Sequence, residues 1–84
     1  MNTFTVYSDP GHGWVKIPKV LLRDIDLDNK ISSFSYQRNK FAYLEEDCDL
    51  PLFISRMKEL GRDVKFKVQH ADRTSKLRNY NPYK

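Results

Sequence analysis

The sequence predicts a small α+β domain: an antiparallel sheet in the order ββαββαβ, with two helices on one face. Three observations lead there. Several short segments alternate apolar and polar residues, the pattern of half-buried strands. Two others repeat apolar residues at helical spacing, one opened by Pro18 and one closed by Gly61. The turn-forming residues fall between these segments rather than inside them.

Taken in order, Thr3 to Tyr7 alternates, with Phe4 and Val6 on one side and Thr3, Thr5 and Tyr7 on the other. "SDPGHG", residues 8–13, is turn chemistry, and Gly11 and Gly13 tolerate conformations that other residues avoid. Trp14 to Ile17 resumes as a strand, so the first two strands form a hairpin. Pro18 suits a first helical turn, where its missing N–H costs nothing, and Leu21, Leu22 and Ile25 follow at helical spacing. Ile31 to Tyr36 reads as a strand or an extended lead into one. Arg38-Asn39 makes a tight turn before Phe41 to Leu44, since Asn accepts the left-handed region.

The second helix has the clearest signature. Asp49 reads as its N-cap and Pro51 lies in its first turn. Leu50, Phe53, Ile54, Met57 and Leu60 form one apolar stripe, and Gly61 is the stop. Val64, Phe66 and Val68 then alternate with Lys65, Lys67 and Gln69: a last strand with one apolar and one cationic face. His70 continues the apolar side. From Ala71 onward no period survives. The basic segment 71–84 reads as a flexible tail, or as a strap packed over the sheet through Leu77, Tyr80 and Tyr83.

Eighty-four residues make a single domain, 1–84, with room for one core and little room for a deep enclosed active site. The five Phe, five Tyr and one Trp supply apolar area that argues against disorder. A single cysteine, Cys48, forms no intrachain disulfide, and with two distant histidines it builds no thiolate zinc site. No apolar run approaches a membrane span, and the N-terminus has no signal-peptide pattern. A reducing, cytoplasmic setting is expected.

The net charge of +4 is unevenly spread. Glu45, Glu46, Asp47 and Asp49 surround Cys48 in an acidic knot, whereas cations dominate after Arg62. Cys48 and His70 make a poor nucleophile pair, because carboxylates raise a thiol pKa. The adjacent Glu45 and Glu46 point to opposite faces of an extended segment. The glycines around His12 lead into a strand, not into the helix N-terminus that a phosphate loop requires. No catalytic residue, metal ligand or cofactor is therefore assigned. Three surfaces remain as binding candidates. One is the acidic patch of Glu45, Glu46, Asp47 and Asp49. The second is a basic and aromatic patch of Lys65, Lys67, Arg73, Lys76, Arg78, Tyr80 and Tyr83. The third is a recognition loop with His12 and Trp14.

Two resemblances attach to these residues. The run from Gly13 to Ile31, with Val15, Ile17, Pro18, Lys19, Leu22 and Arg23, is similar to the strand–Ile-Pro–helix core of AbrB-type swapped-hairpin regulators. More broadly, "YSDPGHGW", the segment Ser33 to Gln37, "YLEEDCD" and the closing "RNYNPY" resemble small accessory proteins of phages and plasmids. That group has no established chemistry to carry over to single residues. The resemblance implies a mobile-element protein that inhibits a host nucleic-acid-targeting defence complex, as anti-CRISPR proteins do. Such a protein is non-enzymatic and occupies a charged surface of a host protein or ribonucleoprotein complex in the host cytoplasm. The alternative is a DNA- or RNA-binding regulator that uses the basic C-terminal quarter.

Overall fold

The computed structural model describes residues 3–70 and 80–83. Arg73, Lys76, Arg78 and Leu77 lie outside the described residues. The elements run β1 (Thr3–Ser8), β2 (Gly13–Pro18), α1 (Lys19–Asp24), β3 (Tyr36–Arg38), β4 (Phe41–Glu45), α2 (Leu50–Glu59), β5 (Lys65–His70) and β6 (Asn81–Pro82). Among the described residues they build one six-stranded sheet in the order β5-β1-β2-β4-β3-β6.

Two expectations need correction here. The order is ββαββαββ, because the C-terminal segment adds β6 against β3. The sheet is also not wholly antiparallel. β5 lies parallel to β1, in register from Thr3 opposite Lys65 to Ser8 opposite His70. The reason is topological: β4 and β5 are joined through α2, a connection long enough to carry the chain back across the sheet. Nothing local in the sequence specifies which strand β5 will meet.

The core forms around the central pair β2 and β4. Val15, Ile17, Ala42 and Leu44 are fully buried, in one cluster with Leu22 of α1 and Phe53 and Met57 of α2. Phe4 extends that cluster towards β1 and meets Phe53 edge to face, with ring centroids 5.4 Å apart. The α2 stripe is narrower than its spacing suggested. Phe53 and Met57 are buried and Leu50 is packed against the cluster, but Ile54 and Leu60 are exposed. The same correction applies to β5, where Phe66, Val68 and His70 are all exposed. β5 is an edge strand, so its apolar side meets the core only where Phe66 approaches Phe4, at 6.4 Å.

Both helices end in the same way. Leu27 N–H donates to the Leu22 carbonyl and Asp26 N–H to that of Arg23. At the second end, Arg62 donates to Met57 and Gly61 to Lys58. These are paired Schellman bonds, and each needs a left-handed residue: Asp26 at φ 63° and Gly61 at φ 70°. Asn39 at φ 55° turns the β3–β4 hairpin as expected. The segment before β3 is a turn-rich loop rather than a strand from residue 31, and its Ile31 is fully buried.

Candidate nucleic-acid interface

Strand residues alternate between the two faces of a sheet, so burying Val15, Ile17, Ala42 and Leu44 under the helices sends their neighbours the other way. Cross-strand register then assembles the second face. Tyr7 stands opposite Trp14, Lys16 and Tyr36 both flank Tyr43, and Arg38 faces Phe41. These residues form a second cluster. Trp14 and Tyr43 are its buried centre, and Tyr7, Tyr36, Phe41 and Tyr80 are half-buried around them. Tyr43 lies 5.1 Å from Tyr80 and 6.2 Å from Tyr7, and Trp14 lies 5.8 Å from Tyr36. Leu22 of α1 and Phe53 and Met57 of α2 belong to the first cluster and not to this one.

Cations lie directly on the rings. The Lys16 ammonium is 4.2 Å from the centroid of Phe41, and the Arg38 guanidinium carbon is 5.1 Å from that of Tyr80. Lys16, Arg38, Lys40, Asn39, Phe41, Tyr43 and Tyr80 line a cavity of about 620 Å³. No carboxylate lines it among the described residues. A second cavity of about 450 Å³ shares Asn39, Lys40 and Phe41 and adds Pro18, Lys19, Val20 and Arg23. Burial pushes the Tyr43 phenol above its ordinary pKa. Tyr80 and Tyr7 push the same way and Arg38 opposes them. Tyr43 therefore stays a neutral hydrogen-bonding group at physiological pH.

The recognition loop lies at the Trp14 end of the same face. Asp9 is buried, and its carboxylate accepts from the backbone N–H groups of Gly11 and His12, at 3.0 and 2.9 Å. Asp9 N–H also donates to the His12 carbonyl at 2.9 Å, which closes a tight hairpin loop. His12 Nδ1 lies 3.3 Å from Glu45 Oε2, and its ring lies 5.9 Å from that of Trp14. His12, Trp14, Phe34, Tyr36, Glu45, Asp47 and Cys48 line a third cavity, of about 310 Å³. One ligand atom each from His12, Glu45 and Asp47 lies within 4.8 Å of the others, a grouping that the sequence did not suggest.

The acidic patch is divided. Glu45 and Asp49 are only 6% and 3% exposed, whereas Glu46 and Asp47 are at the surface. Glu45 Oε1 accepts from the N–H groups of Asp47 and Cys48. Asp49 occupies the N-cap position of α2 but makes no side-chain cap bond. It accepts instead from Ser32 N–H, from the Ser32 hydroxyl at 2.7 Å and from the Ser35 hydroxyl. The thiol of exposed Cys48 is pushed above its usual pKa. Desolvation is the largest cause, followed by its hydrogen bond to Glu45 and the charges of Glu45, Asp49 and Asp47.

The basic and aromatic patch is divided too. Lys65 and Lys67 are exposed opposite Thr3 and Thr5, hence on the same face as Tyr7, at its β5 edge. Tyr80 lies within the aromatic cluster. Tyr83 packs on the helical side, where its hydroxyl donates to the Asp28 carbonyl at 2.8 Å. Sequence reasoning missed Lys16, Arg38, Lys40, Phe41, Tyr7, Tyr36 and Tyr43. One signal was present: the outward positions of β1, β2 and β4 carry aromatic residues where a solvated face would carry polar ones. Comparison with protein-family models, with curated proteins and with solved structures returned no match.

Proposed function

We propose that this protein binds single-stranded nucleic acid on the sheet face that carries Phe41, Tyr43 and Tyr80. One observation carries the reading: Lys16, Arg38 and Lys40 surround the half-buried rings of Phe41 and Tyr80 in a cavity that no carboxylate lines among the described residues. Cations attract phosphates without regard to sequence, and partly exposed rings offer surfaces on which bases stack. A single strand presents its base faces for stacking, whereas a duplex keeps them paired and stacked internally. Lys16 already lies over Phe41. A base that takes this ring face frees the ammonium for a phosphate. Lys65 and Lys67 lie apart from this cavity, at the β5 edge of the sheet.

This reading keeps the nucleic-acid alternative drawn from the sequence but moves its centre from the C-terminal quarter to β2, β3 and β4. The inhibitor reading has less support. A phosphate mimic would present Glu45, Glu46, Asp47 and Asp49 together, yet Glu45 and Asp49 are buried and hydrogen-bonded. A mobile-element origin and a role against host defence rest on the sequence resemblance alone.

Fluorescence anisotropy with labelled oligothymidylate, oligouridylate and a duplex of equal length tests the proposal. Both single strands bind more tightly than the duplex, and affinity falls as salt rises. Equal binding of duplex and single strand, or no salt-dependent binding of any of them, overturns it.

A further inference from the structure

The two cationic cavities are contiguous: Asn39, Lys40 and Phe41 line both. The first lies on the aromatic sheet face. The second lies around the β3–β4 turn, against the start of α1, and adds Lys19 and Arg23. Resting on the single-strand reading above, we propose that the strand crosses the β3–β4 turn rather than running along β5. Two successive nucleotides then occupy the two cavities, with Lys40 at the phosphate between them.

Four observations converge on this path. Among the described residues neither cavity has a carboxylate in its lining, so every charged side chain of the two linings, from Arg38 to Arg23, is cationic. Phe41 faces both cavities, as an aromatic wedge between two adjacent bases would. The opposite direction along β2 and β4 is closed to a polyanion, because it ends at Glu45 and Asp47. The β5 edge offers Lys65 and Lys67 but lies two strands away from Lys16 and lines neither cavity.

The chemical class of ligand is thus a dinucleotide unit with an internal phosphate. Charge attraction alone would not require α1, which is remote in sequence from the basic C-terminal quarter.

The test compares two neutralised variants of the full chain by anisotropy with labelled oligothymidylate: Lys19→Gln with Arg23→Gln, and Lys65→Gln with Lys67→Gln. Circular dichroism checks that both remain folded. The α1 pair is expected to lose about tenfold in affinity at low salt and about 1.4 in salt slope. The β5 pair is expected to lose less than about threefold. A dinucleotide with one internal phosphate competes for the site better than a mononucleotide does. Loss confined to the β5 pair overturns the path and leaves the single-strand reading intact. Failure of the unsubstituted chain to bind any single strand overturns both. Competition by polyglutamate as effective as that by oligothymidylate also overturns both, since charge alone would then account for binding.

Discussion

The Asp49 carboxylate stands where α2 begins, yet its buried partner is the Ser35 hydroxyl, fourteen residues earlier in the chain. The same hydroxyl accepts the backbone N–H of Glu45 at 2.9 Å. Ser35 is fully buried, so one small side chain ties the loop before β3, the end of β4 and the start of α2 into a single polar joint. Removing the carboxylate leaves the buried Ser35 hydroxyl and the part-buried Ser32 donors without this acceptor. Asp49→Ala should cost about 2–4 kcal/mol, above the usual effect of losing a helix cap. Asp49→Asn, which keeps one acceptor, should cost less. Urea unfolding of the two variants measures the difference.

Gly61 isolates the cost of a backbone conformation. Its φ is 70°, and a Cβ added there meets nothing within 4 Å. Gly61→Ala should therefore destabilise the fold by about 1–2 kcal/mol through left-handed strain alone, with no steric contribution. Thermal unfolding reports the loss, and binding to a single strand is expected to be unchanged at temperatures where the variant is folded.

Phe41 and Tyr80 separate stacking from charge. Phe41→Ala and Tyr80→Ala should each weaken single-strand binding by about 1–3 kcal/mol while leaving the salt slope nearly unchanged. Lys40→Gln should do the reverse in kind, lowering the slope by about 0.7. Anisotropy titrations at several salt concentrations distinguish the two behaviours.

Cys48 offers a measurement of pH dependence. Its thiol is raised above the ordinary value, so at any given alkaline pH less of it is thiolate than in a free peptide. Its alkylation profile should be displaced to higher pH. Asp47→Asn removes one of the charges that raise it, and the profile should move back down. Rates of iodoacetamide labelling between neutral and alkaline pH test the direction.

Much of the fold is legible in particular residues. Asp9, whose carboxylate accepts from the N–H groups of Gly11 and His12, marks the first hairpin, Asn39 marks the second, and Gly61 ends α2 at the expected position. In each case the determining interaction lies within a few residues. What escaped was non-local. Asp49 has the residue type of a helix cap, but Ser32 and Ser35 compete for its carboxylate from across the fold. The face that bears Phe41, Tyr43 and Tyr80 exists only once β4 pairs with β2 and β3. In sequence its residues are spread from Tyr7 to Tyr80, and the most conspicuous charges, those after Arg62, drew attention away from Lys16, Arg38 and Lys40.

The parallel pairing of β1 with β5 has a consequence for synthesis. β1 leaves the ribosome well before β5, one of its two neighbours, has been made. Until residues 65–70 have emerged, the growing chain carries the first hairpin with one backbone edge unpaired. Contacts between such distant segments also close slowly. The nascent protein therefore passes through an interval in which Thr3–Ser8 is open to pairing with a neighbouring chain, and chaperone dependence should be greatest in polypeptides arrested before β5.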